Sequence, residues 1–289
     1  MTTDLGPLSL PGLRAHLRAA WPKPEDLRSR SGDRWLASIT ILAFVVSALL
    51  FFLGGPHAGF LSLNAASANL PDPLWGAITS IGDGYLLAAF ALFFARRYPH
   101  VLWIFFIGVL VSAVASQVPK DLLNMPRPAG VLDLSEFHLI GPEHRRKGPP
   151  SGHSLAAFLV AGIGIYLIRN LTWRIALLVV ASLAAFSRIA VGVHWPLDVT
   201  LGIGLGAAAA WVTIALARAW PAGRNVWVHL ALVLLFVAST VYLVTFDPDY
   251  PWGREVNIVV GMAALLFFAK TYLIDPFRHR PRRDANRDR

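Results

Sequence analysis

Apolar residues dominate eight runs along the chain, at about 35–54, 73–95, 101–118, 152–169, 174–193, 196–217, 225–246 and 254–274. Each approaches the roughly 20 residues that carry a helix across about 30 Å of hydrocarbon. Backbone groups find no water partner in lipid, so runs of this kind predict helices rather than isolated strands. The expected fold is therefore all-α, a polytopic transmembrane helix bundle of about eight spans. The first run follows 34 residues holding six Lys and Arg, with no small-residue cleavage pattern behind it, and is read as a retained helix. Within that leader, LPGLRAHLRAAW (residues 10–21) predicts either a basic amphipathic helix on the membrane surface or a solvated tail.

Composition agrees with this class. Of 289 residues 55% are hydrophobic and only 15% charged, with a mean hydropathy of +0.54, whereas soluble domains carry about 25% charged residues. The absence of cysteine removes disulfides, thiol nucleophiles and thiolate metal sites. A formal charge of +9 raises the question of nucleic acid, but the placement of the charges answers it. If all eight runs cross and the N-terminus is cytoplasmic, 19 of the 26 Lys and Arg fall on the inside, the bias expected of membrane topology. Both termini are then cytoplasmic and no nucleic-acid partner is implied.

The seven outside positives are the exceptions, and six of them flank the outer ends of runs three, four and five. They sit in PKDLLNMPRP (119–128), HRRKGPPSGHS (144–154) and SRIAVGVHWPLD (187–198). The segment between runs three and four is the longest internal non-spanning stretch, and loops of that length are more often functional than idle. Convergence of these ends would line one pocket with Lys120, Arg127, Arg188, two histidines and a carboxylate, a set that attracts phosphate.

Local chemistry sharpens the expectation. Ser151 is a good helix N-cap and Gly152 allows close approach of a ligand to the backbone, so run four would begin as an anion site. Pro196 suits a first helical turn, which puts Asp198 in that turn and His194 just before it. A carboxylate there stays ionised and can hold one imidazole nitrogen, leaving the other as a nucleophile. His194 with Asp198 thus reads as nucleophile and partner. His153 reads as the acid that protonates a departing oxygen. Lys120, Arg127 and Arg188 would neutralise the equatorial oxygens of a transferring phosphoryl group, a role that needs no metal or other cofactor.

KDLLNMPRP (120–128), PSGH (150–153) and SRIAVGVHWPLD (187–198) resemble, in residue type, spacing and order, the three signature motifs of the type 2 phosphatidic acid phosphatase superfamily. The resemblance implies a metal-independent phosphohydrolase acting through a phosphohistidine, with His194 as nucleophile, Asp198 as its partner and His153 as general acid. It likewise implies that Lys120, Arg127, Ser151, Gly152, His153 and Arg188 cradle the phosphate, and that runs one to six form a six-helix phosphatase core. The expected organisation is a basic cytoplasmic segment (1–34), that core (35–218), two additional C-terminal transmembrane helices (219–275) and a basic cytoplasmic tail (276–289).

A pocket at headgroup depth favours a phosphorylated membrane lipid. Undecaprenyl diphosphate, phosphatidylglycerol phosphate, phosphatidic acid and lipid A are the candidates, on the periplasmic or extracytoplasmic side of an inner (cytoplasmic) membrane. A lipid phosphotransferase using the same phosphohistidine, an anion or lipid transporter, and a vanadate-dependent haloperoxidase are the alternatives. The oligomeric state is not legible. Other positions carry weaker signals. Asp83, in run two, is either an intramembrane functional acid or a residue brought to water by a break at its flanking glycines. Glu143 to Lys147 reads as a second anion site or as a loop meeting anionic lipid. His57, His138 and His144 read as ordinary loop residues.

Overall fold

The structure, a computed structural model, describes residues 10–275. Among them are eleven α-helices. Leu10–Ala20 (α1) precedes Arg30–Gly54 (α2) and the short Phe60–Ser67 (α3). Asp72–Ser80 (α4) and Gly84–Leu92 (α5) follow, then Pro99–Leu123 (α6), Gly152–Leu167 (α7), Leu171–Ala190 (α8) and Pro196–Ala219 (α9). Val226–Thr245 (α10) and Gly253–Phe268 (α11) complete the set, the last continuing as a π-helical turn over Ala269–Ile274. The expected tail, 276–289, and the first nine residues of the leader lie outside the described residues.

Helix starts follow the sequence chemistry. Ser29 caps α2 by accepting from the Gly32 amide, Asn170 caps α8 from Trp173, and Asn225 caps α10 from Trp227. Proline stands in the first turn of α4, α6 and α9, where its missing N–H costs nothing.

Among the described residues six helices are long and apolar enough to cross a membrane by themselves, and α4 with α5 passes the same test as a pair bent by 56°, a broken span or a re-entrant loop. The break falls at Ile81–Asp83, where Asp83 caps α5 by accepting from the Tyr85 and Leu86 amides. The second apolar run is thus two helices rather than one. The fourth run forms α7, apolar but only 16 residues long, or about 24 Å at 1.5 Å per residue. It is the central helix, packed on α9, α8, α2, α6 and α5, so its surroundings are protein for most of its length.

The seam between α7 and α9 is built on small residues. A Cβ at Gly202 would lie 2.6 Å from the Ser151 carbonyl oxygen, one at Gly206 2.5 Å from that of Leu155, and one at Gly162 2.7 Å from Ala210 Cβ. Where lipid offers no hydrophobic drive between helices, close backbone approach of this kind supplies the packing. Its consequence is positional: the first turns of α7 and α9, each carrying one motif, are held side by side.

The leader helix α1 docks rather than floats. Leu13 and Leu17 are buried against Val226 and Leu230 of α10, and His16 Nε2 lies 2.8 Å from the Arg96 carbonyl oxygen. Helices α10 and α11 pack on α5 and α4, with α10 also touching α6.

Candidate active site

The turn from α8 into α9 places the first pair. The His194 and Val193 amides both donate to the Arg188 carbonyl at 3.2 Å, closing a turn in which Gly192 has φ 80°. A side chain at Gly192 would also meet the His138 carbonyl oxygen at 2.6 Å. Asp198, third in α9, accepts from the Trp195 amide at 3.3 Å and lies 3.0 Å from His194 Nδ1. Both side chains are at most 3% exposed. A carboxylate on Nδ1 assigns the proton to that nitrogen and leaves Nε2 with its lone pair. Burial above all, and then the positive charges of Arg127, Arg188, Lys120 and His153, hold the His194 imidazole well below the usual histidine range. It is neutral at pH 7.

The α7 start is tied to this pair through the backbone. The Ser151 amide donates to the Asp198 carbonyl at 2.9 Å. Ser151 Oγ accepts from the Ser154 amide at 3.3 Å and from the Ser154 hydroxyl at 2.8 Å. Lys120, in the last turn of α6, aims its ammonium at the same place: a Cβ on Gly152 would stand 3.2 Å from Nζ. The open N-terminal amides of α7 and a lysine cation therefore face one spot, as an anion site requires. A side chain at position 152 would displace the lysine.

Arg127 is carried by a clamp of two loop stretches. Its amide donates to the Arg145 carbonyl at 3.0 Å, its Nε to the Lys147 carbonyl at 3.3 Å, and Gly148 N to the Met125 carbonyl at 2.9 Å. Trp195 Nε1 donates to the Pro126 carbonyl at 2.9 Å, pinning the clamp to the histidine segment. Gly148 passes so close to Asp198 that a Cβ there would be 3.2 Å from Oδ2. The 143–147 charge run is largely spent on pairs, Arg145 with Glu143 and Lys147 with Asp121 at 2.7 Å.

Arg188 is 2% exposed. Nη1 donates to Thr79 Oγ1, Nη2 to Tyr250 Oη at 3.2 Å, and the guanidinium lies 5.5 Å from the Tyr250 ring centre. Its Nε is buried without a partner among the described residues. Arg188 and His153 share a cavity of about 260 Å³ with Asp83, His144 and Asn257. The structure thus brings His194 together with Asp198, Ser151 with Asp198, and Lys120 with Gly152, and sets the fields of Lys120, Arg127, Arg188 and His153 on His194.

Several contributors escape a sequence reading. His144 was expected to be an ordinary loop residue, yet it lines the cavity with His153. His57 stacks on Trp195 at 3.9 Å, beside the nucleophile candidate. His138 faces Asp72 at 3.2 Å. Asn64 of α3 donates to the carbonyls of His138, Ile189 and Ala190 and accepts from the His138 amide, holding the end of α8. Thr79 and Tyr250 lie 109 and 62 residues from Arg188. No local pattern announces any of these partners.

All eight predicted site residues fall within residues 101–222, which match the profile of the PAP2 superfamily. The match covers less than half of the 289-residue chain and shows what this stretch is similar to. The chain is 33% identical over 101 residues to an undecaprenyl-diphosphatase of Sulfolobus acidocaldarius. That alignment covers 35% of this chain and 47% of the archaeal enzyme, so the chain spans about half of that relative's length. It is 28% identical over 215 residues to a lipid A 1-phosphatase of Rhizobium johnstonii, covering 66% of this chain and 86% of that one. The crystal structure of Aquifex aeolicus LpxE aligns at 27% identity over 54% of this chain and 92% of its own, with a TM-score of 0.49. Helices α10 and α11 lie outside the PAP2-matched stretch.

Proposed function

We propose that the chain is a lipid phosphatase that hydrolyses a phosphomonoester or diphosphate of a membrane lipid through a phosphohistidine, without a metal. The observation that carries this reading is the buried His194–Asp198 pair at 3.0 Å, with Nε2 left free among three cationic side chains. The similarity to the PAP2 superfamily and to the two relatives, both phosphatases acting on lipids, supports it.

In the first step His194 Nε2 attacks phosphorus while the P–O bond to the lipid breaks. Charge on the three equatorial oxygens is met by Lys120, Arg127, Arg188 and the α7 amides. His153 gives its proton to the leaving oxygen. Asp198 holds the imidazole in the attacking tautomer and stabilises the positive charge that it gains. In the second step His153 takes a proton from water, which attacks the phosphohistidine and releases inorganic phosphate. The candidates are undecaprenyl diphosphate, phosphatidylglycerol phosphate, phosphatidic acid and lipid A. The distribution of Lys and Arg supports an inner-membrane protein with both termini cytoplasmic and the site on the extracytoplasmic side. The motifs support a core of residues 35–218, with 219–275 as an addition.

Purified full-length protein, given these four lipids in excess chelator, should release phosphate from at least one of them. Transfer of phosphate to an alcohol with no free phosphate would replace hydrolysis by phosphotransfer. No reaction with any lipid would sink both.

The electrostatics add a pH prediction. The acid limb of kcat/KM reports the free enzyme's base. Since burial and the surrounding cations lower the His194 pKa, the nucleophile stays unprotonated as pH falls through 6.5, its ordinary value. Protonation of His194 itself should therefore not limit activity until the pH is below 6.5. In Lys120→Met, with one cation gone, the limb should move upward in pH. A wild-type limb above 6.5, in kcat/KM profiles of both proteins, would contradict this assignment.

A further inference from the structure

The cavity beside the phosphate site is walled in large part by residues outside the PAP2-matched stretch. The loop between α10 and α11 supplies Asp249 and Tyr250, and α11 supplies Asn257. That loop is tightly seated on α4. A Cβ on Gly76 would strike the Pro251 carbonyl oxygen at 2.0 Å, and one on Gly253 would lie 2.9 Å from Ser80 Oγ. Tyr250 joins it to Arg188 by a hydrogen bond and by its ring face. The wall is therefore fixed relative to the phosphate-binding arginine.

Its polar groups are not satisfied from within. Asn257 is 1% exposed, lines the cavity, and its Oδ1 has no partner among the described residues. Burial of an unmade acceptor costs about 1–3 kcal/mol, so a ligand donor is the natural complement. Asp83 spends Oδ1 on the Tyr85 and Leu86 amides, and Asp249 lines the same cavity. Two carboxylates and an amide oxygen ask for O–H or N–H donors. His153, the proposed acid, lines this cavity and His194 does not, which puts the space on the leaving-group side. At about 260 Å³ it is smaller than the roughly 300–1,000 Å³ of drug-sized sites, room for a headgroup fragment with the tails outside.

We propose that the α10–α11 loop, with Asn257, reads a hydroxyl-bearing leaving group, so that the preferred substrate is a phosphomonoester on a sugar- or glycerol-type headgroup rather than a diphosphate. The proposal rests on the phosphatase reading and narrows it. A second phosphate in this position would face Asp83 and Asp249 as well as the already anchored Arg188, whereas ring or glycerol hydroxyls would satisfy the carboxylates. A pocket built to hydrogen-bond a hydroxyl rejects ligands that lack one far more strongly than an apolar pocket does.

Three probes separate the possibilities in full-length protein in detergent micelles: a glycolipid carrying a sugar-linked phosphomonoester, undecaprenyl diphosphate, and p-nitrophenyl phosphate. The wild type should favour the glycolipid over the diphosphate in kcat/KM by about tenfold or more. Asn257→Leu should cut glycolipid kcat/KM about tenfold more than that of either other probe. Asp249→Asn, at an exposed position with φ 59° that asparagine tolerates, tests the same wall with little risk to folding and should lower the same ratio. Equal losses on all three probes would make these residues structural and overturn the proposal. So would an unchanged ratio, or a wild-type preference for the diphosphate. Release from none of the three by the wild type would instead overturn the phosphatase reading itself, and this one with it.

Discussion

His194→Ala should lose phosphate release by roughly 10⁴-fold or more, the scale seen when a covalent nucleophile is removed from a preorganised site. The side chain is buried in one tight turn, and alanine leaves no imidazole at that position. Asp198 would remain with only the Trp195 amide on its carboxylate. The lysine and arginines would still bind phosphate, so affinity for inorganic phosphate or vanadate should fall far less than turnover. That split between binding and turnover is the readout. A brief quench of the wild type with radiolabelled substrate should trap protein-bound phosphate that is stable to base and labile to acid, and His194→Ala should trap none. Turnover that survives in this variant would mean that another group attacks phosphorus.

Arg188→Lys should cost roughly 10²–10³-fold in kcat, the range for losing one preorganised donor to developing charge, although the charge is kept. The reason is geometric. The guanidinium spends Nη1 on Thr79 and Nη2 on Tyr250, which fixes its plane and leaves Nε as the unpartnered donor. An ammonium lacks the rigid planar fork that makes both anchoring bonds at once. The substitution would also leave Thr79 or Tyr250 without its partner. Tyr250→Phe removes one anchor while keeping the ring over the guanidinium, and should fall between Arg188→Lys and the wild type. Steady-state kinetics on one lipid substrate suffice. Equal activity in Arg188→Lys and wild type would mean that charge alone matters at this position.

The class, the approximate spans and the eight candidate side chains are legible in the chain alone. Those signals are local: apolar runs of membrane-crossing length, and three motifs whose spacing within the chain already encodes caps, first-turn carboxylates and glycine approaches. His194 and Asp198 are four residues apart, so one helical turn brings them together wherever the helix lies. What those motifs lean on is visible only once the helices are packed. Arg188 is anchored by a threonine on α4 and a tyrosine after α10, and the end of α8 by an asparagine on α3. Packing also decides that Asp83 caps α5 at the break beside His153, and that the α10–α11 loop closes the cavity. The physical reason lies in the solvent. In a soluble bundle the apolar stripe marks the packed face, but a membrane helix is apolar on every side, so its sequence does not distinguish the face that meets lipid from the face that meets protein. Outward-facing Phe52 and Leu53 and buried Leu36 are equally apolar members of the same α2 run. Which helices meet, and which polar side chains are thereby paired, depends on small-residue seams such as Gly202 and Gly206 against α7, whose complementarity exists only once both surfaces are in place.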